Sequence, residues 1–448
     1  MIVLTTLIVG IKVDVDDTTS STFRESPRSK DGHFIYNILE GNMIEQTNII
    51  TESIKLKSGQ VWDGKGQTYH LKAGWDFCPF LVENVQDVVL KNFNLIVTQP
   101  DKLKRVSGLV GIIHSKKIKV ENVKLQGGGK LRGTNNQIPL MLFDTEDVEV
   151  SNSEISWCRK GHNIDIQQST RCKITNNDVH HAYYDGIKHA ACNKESLIAY
   201  NHSHHNGSIG REKGAVGDGL DLTQGGPVDV IGNNFDYNDN GITFKYAAWQ
   251  YFPRKFPNRW SVYGVNIIGG SLKNNGNGLF AQGFAGSNNT TGSCDEKNAP
   301  YPMGFNVQGV LAQDNKHNGF VIGHGSWNLD KCIAYRNKQH GLSCTEYSTK
   351  CNIRDFLSVA NGHSNMNMWG PDNDVDHARC YGIDIFMTNA ADWKKAKVIS
   401  KYGINHQWKP ARGKHHGIYR RCFNQYSKNA NGKPQHLPDR CWVEAYDG

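Results

Sequence analysis

Between His162 and Trp249 the sequence gathers side chains that handle protons and cations. Asp165, Lys188, Asp221 and Thr243 recur at nearly regular intervals, and Gln167, Ala190, Thr223 and Lys245 follow each of them by two residues. His162, Asp185, Asp218 and Asn240 stand three residues before the first set. If the segments that carry them stack, four carboxylates, two lysines and a histidine meet on one wall. A lysine there is a candidate base, and the carboxylates are candidate ligands for a hard cation such as Ca²⁺. Asp165, Lys188, Asp221 and Lys245 are the candidate catalytic residues, with Asp185 and Asp218 as candidate calcium ligands. Asp185 and Asp218 also have the spacing of a carboxylate pair for glycoside cleavage if their strands are neighbours, about 5 Å apart. The bland alternative is a solvated charge ladder, in which alternating signs on stacked strands stabilise a sheet modestly. A second cluster, His180, His181, His202, His204 and His205, falls on two successive repeats. His181 and His204 are its candidate metal ligands, although polar turn residues are the simpler explanation of the cluster. Tyr183, Tyr184, Tyr246 and Trp249 lie near enough to stack on sugar rings. Tyr184, Thr223, Tyr246 and Trp249 are the candidate substrate contacts.

The elements that must position these residues repeat. Gly186-Ile187-Lys188-His189, Gly219-Leu220-Asp221-Leu222 and Gly241-Ile242-Thr243-Phe244 share one pattern, and Gly278-Leu279, Gly319-Phe320 and Gly341-Leu342 continue it. Gly382-Ile383 and Gly403-Ile404 extend it, while Leu140-Met141-Leu142 and Ile164-Asp165-Ile166 match upstream without the glycine. Leu220 to Ile242 is 22 residues and Phe320 to Leu342 is 22. The longer steps, 33 from Ile187 to Leu220 and 41 from Leu279 to Phe320, fit either a loop inserted in one coil or two coils, one degenerate. Side chains alternate across a strand, so Ile164, Ile187, Leu220 and Ile242 face inward, with Ile166, His189, Leu222 and Phe244. The candidate site residues then face outward, and His189 is a core histidine. An apolar alternation ending in Asn returns between these copies, at Asn152, Asn176, Asn201 and Asn233. Stacked Asn side chains can bond one another and the turn backbone. Each coil therefore has at least two strands and an Asn turn. One coil cannot bury its apolar face alone, so neighbours must stack. The insertion from Gly207 to Val216 falls beside the acidic wall, where a loop can shape a cleft.

This pattern, over roughly residues 50 to 410, resembles the pectate-lyase-like right-handed β-helix superfamily. It implies an all-β chain forming a right-handed single-stranded parallel β-helix of about ten or more coils with caps at both ends. Residues 1–75 read as an N-terminal segment and cap, 76–406 as the β-helix, and 407–448 as a basic C-terminal cap or tail. Ser53-Ile54-Lys55-Leu56 and the Gly59–Gly66 stretch are similar to the first turns of such proteins. The superfamily includes lyases, hydrolases, epimerases, tailspikes and adhesins, so fold alone does not assign an activity. The resemblance implies an acidic polysaccharide as partner and proton abstraction followed by β-elimination as the expected chemistry. Lys188 would be the base, Lys245 the neutralising cation or alternative base, and Ca²⁺ on the carboxylates the group that acidifies the proton. Flanking carboxylates raise a lysine's pKa, which opposes Lys188 as a free base unless a metal occupies them. Gly219-Leu220-Asp221-Leu222-Thr223 is similar in position to the Gly-Phe-Asp-Pro-His of mannuronan C5-epimerases, without its Pro and His. Gly323-His324-Gly325 matches the Gly-His-Gly of polygalacturonases, without their Asp-Asp and Arg-Ile-Lys beside it. A glycoside hydrolase and a non-catalytic rod of a virion or cell surface remain alternatives.

The composition agrees with a solenoid. The chain has 448 residues, 46 of them Gly, and a hydrophobic fraction of 38%. A net charge of +8 suits a polyanionic partner but is small for this length. No nucleic-acid-binding motif or zinc-finger spacing accompanies the basic stretch from Lys394 to Arg421. The 11 cysteines are scattered singly with no CxxC pair, so no zinc ribbon is expected; Cys422 and Cys441 could pair in a secreted protein. The apolar run from Met1 to about Ile11 is too short to span a membrane and lacks the basic flank of a signal peptide. Asn201, Asn206 and Asn288 begin glycosylation-type triplets. The expected location is extracellular, or on a virion or cell surface, with a homotrimer one open assembly.

Overall fold

The computed structural model describes residues 48–103, 107–131, 137–192, 195–207, 216–245, 262, 264–281, 304–323, 325–344 and 348–368, and beyond them the strands 373–375, 378–381, 385–387, 398–399, 409–410 and 418–420. The repeats predicted from the glycine-led pattern are parallel strands in direct register. Ile164 pairs with Ile187, Ile187 with Leu220, Leu220 with Ile242, Ile242 with Leu279, Leu279 with Phe320, and Phe320 with Leu342. They belong to a 15-stranded sheet that starts at Ile54–Lys55 and closes with two antiparallel strands, Lys409–Pro410 and Ile418–Arg420. The steps of 33 and 41 residues are therefore single coils with insertions. Later, the strand Ser364–Met368 intervenes, and Ile385 rather than Ile383 continues the column, through Leu342 and Met366. Gly403-Ile404 lies outside the described residues.

The rest of each coil forms a 23-stranded sheet. In the first coils this part is one 11-residue strand, as in Gln86–Ile96 and Lys116–Gln126. The latter pairs with both Glu146–Ser151 and Glu154–Ser156, and from there two short strands separated by a turn replace it. A coil thus has three strands where the sequence indicated at least two. The result is an all-β, right-handed parallel β-helix. No helix among the described residues is long and apolar enough to cross a membrane.

The interior columns are buried throughout, including Ile164, Ile187, Leu220, Ile242, Leu279, Phe320 and Leu342. Each such side chain contributes roughly 1.5–3 kcal/mol by leaving water. The glycine ahead of each strand has a steric cause. A Cβ at Gly219 would lie 2.7 Å from the Gly241 carbonyl oxygen, one at Gly241 2.7 Å from that of Gly278, and one at Gly278 2.4 Å from that of Gly319. Stacked backbones leave no room there for a side chain.

The Asn turns are ladders, displaced by one residue from the sequence reading in the first two copies. Val150, Ile174, Ile198 and Val230 are in register, so Asn152 and Asn176 align with Tyr200 and Gly232. All four take left-handed φ, between 51° and 60°, a conformation Asn and Gly adopt at low cost. The next residue turns inward and carries the ladder. The Asn177 amide N–H donates to Asn201 Oδ1 at 3.0 Å, and that of Asn201 donates to Asn233 Oδ1 at 2.9 Å. A second ladder joins Asn206, Asn238, Asn275, Asn315, Asn337 and Asn361 at the next turn. These side chains satisfy turn backbone groups that the core would otherwise leave unpaired.

Candidate functional site

Four neighbouring strands, Ile164–Gln167, Ile187–Cys192, Asp218–Gly225 and Asn240–Lys245, build the wall. Their register sets Asp165, Lys188, Asp221 and Thr243 in one column and Gln167, Ala190, Thr223 and Lys245 in the next. Asp185 stands at the turn ahead of its strand, and Asp218 is the first residue of the next. There they replace the asparagines of a third ladder. Asn318 Nδ2 donates to Asn277 Oδ1, Asn277 Nδ2 to Asn240 Oδ1, and Asn240 Nδ2 to Asp218 Oδ1 at 2.8 Å. The Asp218 amide N–H then donates to Asp185 Oδ1 at 2.9 Å, and His162 Nδ1 lies 2.9 Å from Asp185 Oδ2. The ladder thus changes from amides to carboxylates where the lysines gather.

The outward-facing carboxylates are not solvated. Asp165, Asp185, Asp218 and Asp221 are all buried, which sets aside the exposed charge ladder. Lys245 is the centre of the cluster, its Nζ 2.8 Å from Asp221 Oδ2, 3.1 Å from Asp218 Oδ2 and 3.9 Å from Asp185 Oδ2. Lys188 Nζ is 3.8 Å from Asp221 Oδ2. The two lysine side chains are 21% and 28% exposed, so they form the accessible rim over carboxylates that solvent does not reach. Thr223 Oγ1 donates to Asp221 Oδ1 at 2.6 Å, and Gln167 Nε2 donates to Asp165 Oδ2 at 2.8 Å. Thr223 is therefore engaged with a carboxylate of the cluster. Asp165 Oδ1 is buried without a hydrogen-bond partner.

Burial and neighbours push these groups apart. Burial, reinforced by the charges of Asp185 and Asp221, raises Asp218 to about 7 despite the opposing pull of Lys245. Burial acts the same way on Asp185, but Lys245 and His162 outweigh it and hold its carboxyl well below the usual range. Both lysines keep their protons. Burial works against the charge of Lys188, and Asp221, Asp185 and Asp165 overcome it; at Lys245 the same contest goes to Asp185, Asp221 and Asp218. Carboxylate atoms of Asp185, Asp218 and Asp221 lie within 4.8 Å of one another, a spacing that suits a cation. The Lys245 ammonium already holds that position, so the residues present do not fit Ca²⁺ without moving it.

His189 is a core residue, as expected from its inward position, and burial lowers it to about 4. The other histidines separate into two sets. His204 comes together with His202 and Asp178. His181 instead lies in a ring stack, 4.3 Å from Trp157 and 5.4 Å from His205, which in turn lies 4.8 Å from Tyr237. The stack was missed in the sequence because Trp157 and Tyr237 share a turn position with the histidines but not their residue type. Tyr184 sits 5.8 Å from His162 by ring centroids, at the edge of the acidic wall. Tyr246 and Trp249 lie outside the described residues, as does most of the insertion after Gly207.

The family model described as a right-handed beta helix region matches residues 103–249, the stretch that holds the acidic wall. The fold of the described residues is that of a right-handed parallel β-helix. No curated protein matches its sequence. Among solved structures it is similar to the A-module of a mannuronan C-5 epimerase from Azotobacter vinelandii, with 13% identity, a TM-score of 0.46, and 71% of this chain and 97% of that one covered. It is also similar to the catalytic domain of a GH87 α-1,3-glucanase, with 9% identity, a TM-score of 0.47, and 73% and 61% covered. An exopolygalacturonase from Thermotoga maritima matches with 11% identity, a TM-score of 0.43, and 75% and 83% covered.

Proposed function

We propose that this protein is a carbohydrate-active enzyme that hydrolyses glycosidic bonds of a polysaccharide, with Asp218 as the proton donor. One observation carries the reading: two buried carboxylates joined through the Asp218 amide are driven to opposite protonation states. Glycoside cleavage needs such a pair, one acid to protonate the leaving oxygen and one carboxylate to activate water or support the developing cation. Asp218, raised to about 7, is about half protonated at pH 7 and more fully so below it. Asp185, kept ionised by Lys245 and His162, is the partner, and Asp221 lies beside both. Because Asp218 is buried beneath Lys245, proton delivery requires the Lys245 chain to swing aside, a rotamer change open to a partly exposed lysine. The lysine rim and the net charge of +8 favour an acidic glycan.

β-Elimination with Lys188 as base has less support, because Lys188 sits between Asp165 and Asp221 and keeps its proton. The test is incubation with alginate, pectate, glycosaminoglycans and neutral glucans, followed by reducing ends and ultraviolet absorbance of unsaturated uronate. New reducing ends without that absorbance, lost in Asp218→Asn, are expected. Unsaturated product that survives in Asp218→Asn but not in Lys188→Ala would replace this reading with a lyase. No product from any of these glycans would refute it.

A further inference from the structure

A second cluster of ionisable side chains stands on the other sheet of the same coils. Asp178–His180, His202–His204 and Asn234–Asp236 are neighbouring parallel strands. Asp178 is in register with His202 and Asn234, and His180 with His204 and Asp236. The middle residues Val179, Ser203 and Phe235 are buried, so the first and third of each strand share the outer face. His202 and His204 are therefore two imidazoles two residues apart on one face, with a carboxylate on each neighbouring strand. His204 Nε2 lies 2.9 Å from Asp178 Oδ1, and His202 Nε2 lies 3.2 Å from Asp236 Oδ2.

We propose that Asp178, His202 and His204 form a binding site for a divalent transition-metal ion, Zn²⁺ or a similar borderline cation. One ligand atom from each lies within 4.8 Å of the others, which small side-chain rotations bring to a common ion. A set of two imidazoles and a carboxylate selects such ions over Ca²⁺ or Mg²⁺. Two independent features point the same way. His204 Nδ1 is 2.8 Å from His205 Nδ1, the outer contact by which a ligating histidine is oriented through its far nitrogen. Asp236 contacts His202 through Oδ2 and leaves Oδ1 buried with no hydrogen-bond partner, an unsatisfied acceptor on the strand beside the site. The ion would join neighbouring coils just before the turns that lead to Asp185 and Asp218. This site is separate from the acidic wall and does not depend on the reaction proposed there.

Calorimetric titration of untagged, chelator-stripped protein with zinc chloride tests the proposal, with Co²⁺ absorption as a second probe. The chain holds 19 histidines, so the count of sites matters as much as affinity. Wild type should bind one zinc equivalent that the His202→Asn/His204→Asn double variant lacks. Asp178→Asn should weaken that equivalent by more than about 100-fold, and His205→Ala by roughly 10-fold, as expected for an outer partner. His181→Ala should retain it, and Co²⁺ should give a visible band in wild type that the double variant loses. Absence of zinc binding in wild type would overturn the proposal. So would an unchanged number of equivalents in a double variant with wild-type circular dichroism, or an unchanged affinity in Asp178→Asn should the double variant not fold.

Discussion

Asp218→Asn should make this protein more stable at neutral and alkaline pH while abolishing its activity. The native state raises Asp218 to about 7 from the ordinary aspartate value of 3.8. Between those values the folded state binds more protons than the unfolded state, so stability attributable to this group is fully present below about pH 4 and falls as pH rises to about 7. A shift of about three units corresponds to an upper bound on the order of 4 kcal/mol. Asparagine cannot ionise, and it fits the site, because the same turn position is Asn240, Asn277 and Asn318 in the next coils. Its Oδ1 would still accept from Asn240, and its Nδ2, in place of the oxygen 3.1 Å from the Lys245 ammonium, requires that ammonium to turn toward the other two carboxylates. Lys245 would keep Asp221 at 2.8 Å and Asp185 at 3.9 Å. Urea unfolding of wild type and variant at pH 5 and pH 8 measures the effect. The difference between the two proteins is the quantity to read, since buried His189 and half-buried His181, both lowered to about 4, act in the opposite sense below about pH 6.5 in each. A gain of roughly 1–4 kcal/mol at pH 8, shrinking at pH 5, is expected. A variant less stable than wild type at pH 8, or an identical pH slope in both, would refute the electrostatic account of Asp218.

Lys245→Met should cost about 3–5 kcal/mol in the same unfolding assay at pH 8, because three buried carboxylates lose their shared cation, and part of that loss should return as pH falls and Asp218 stays protonated. Asn275→Ala removes a buried ladder side chain whose Oδ1 accepts from the Asn238 amide and whose Nδ2 donates to the Phe235 carbonyl, so a loss of roughly 2–4 kcal/mol is expected, with no change in activity relative to folded fraction. His189→Leu replaces a core imidazole whose Nε2 has no partner. It should stabilise by about 1 kcal/mol at neutral pH and by more near pH 5, where wild type loses stability as the unfolded histidine charges.

The sequence by itself determined the fold and the columns of the acidic wall. A strand fixes which side chains share a face, and a glycine-led repeat fixes which strands stack, so Asp165, Lys188 and Asp221 could be aligned before any coordinates. The same logic put His189 in the core. It failed by one residue at the first two Asn turns, because Asn is equally at home in the left-handed position of Asn152 and Asn176 and in the inward ladder position of Asn177. It failed by two at Ile383, because alternation puts Ile383 and Ile385 on one face and does not choose which of them is in register with the preceding coil. What only the tertiary structure decided is the electrostatics. Alternation says that a carboxylate faces away from the core, but not that solvent is excluded there or that one ammonium reaches three carboxylates of the two preceding coils. Those facts depend on side-chain reach and on burial across coils. They favour Lys188 as a rim cation over Lys188 as the base, and they favour Asp218, read from the sequence both as a calcium ligand and as half of a carboxylate pair with Asp185, as the proton donor of the proposed reaction. In the histidine cluster, sequence gave proximity, and strand register separated His204 with Asp178 from His181 in its aromatic stack.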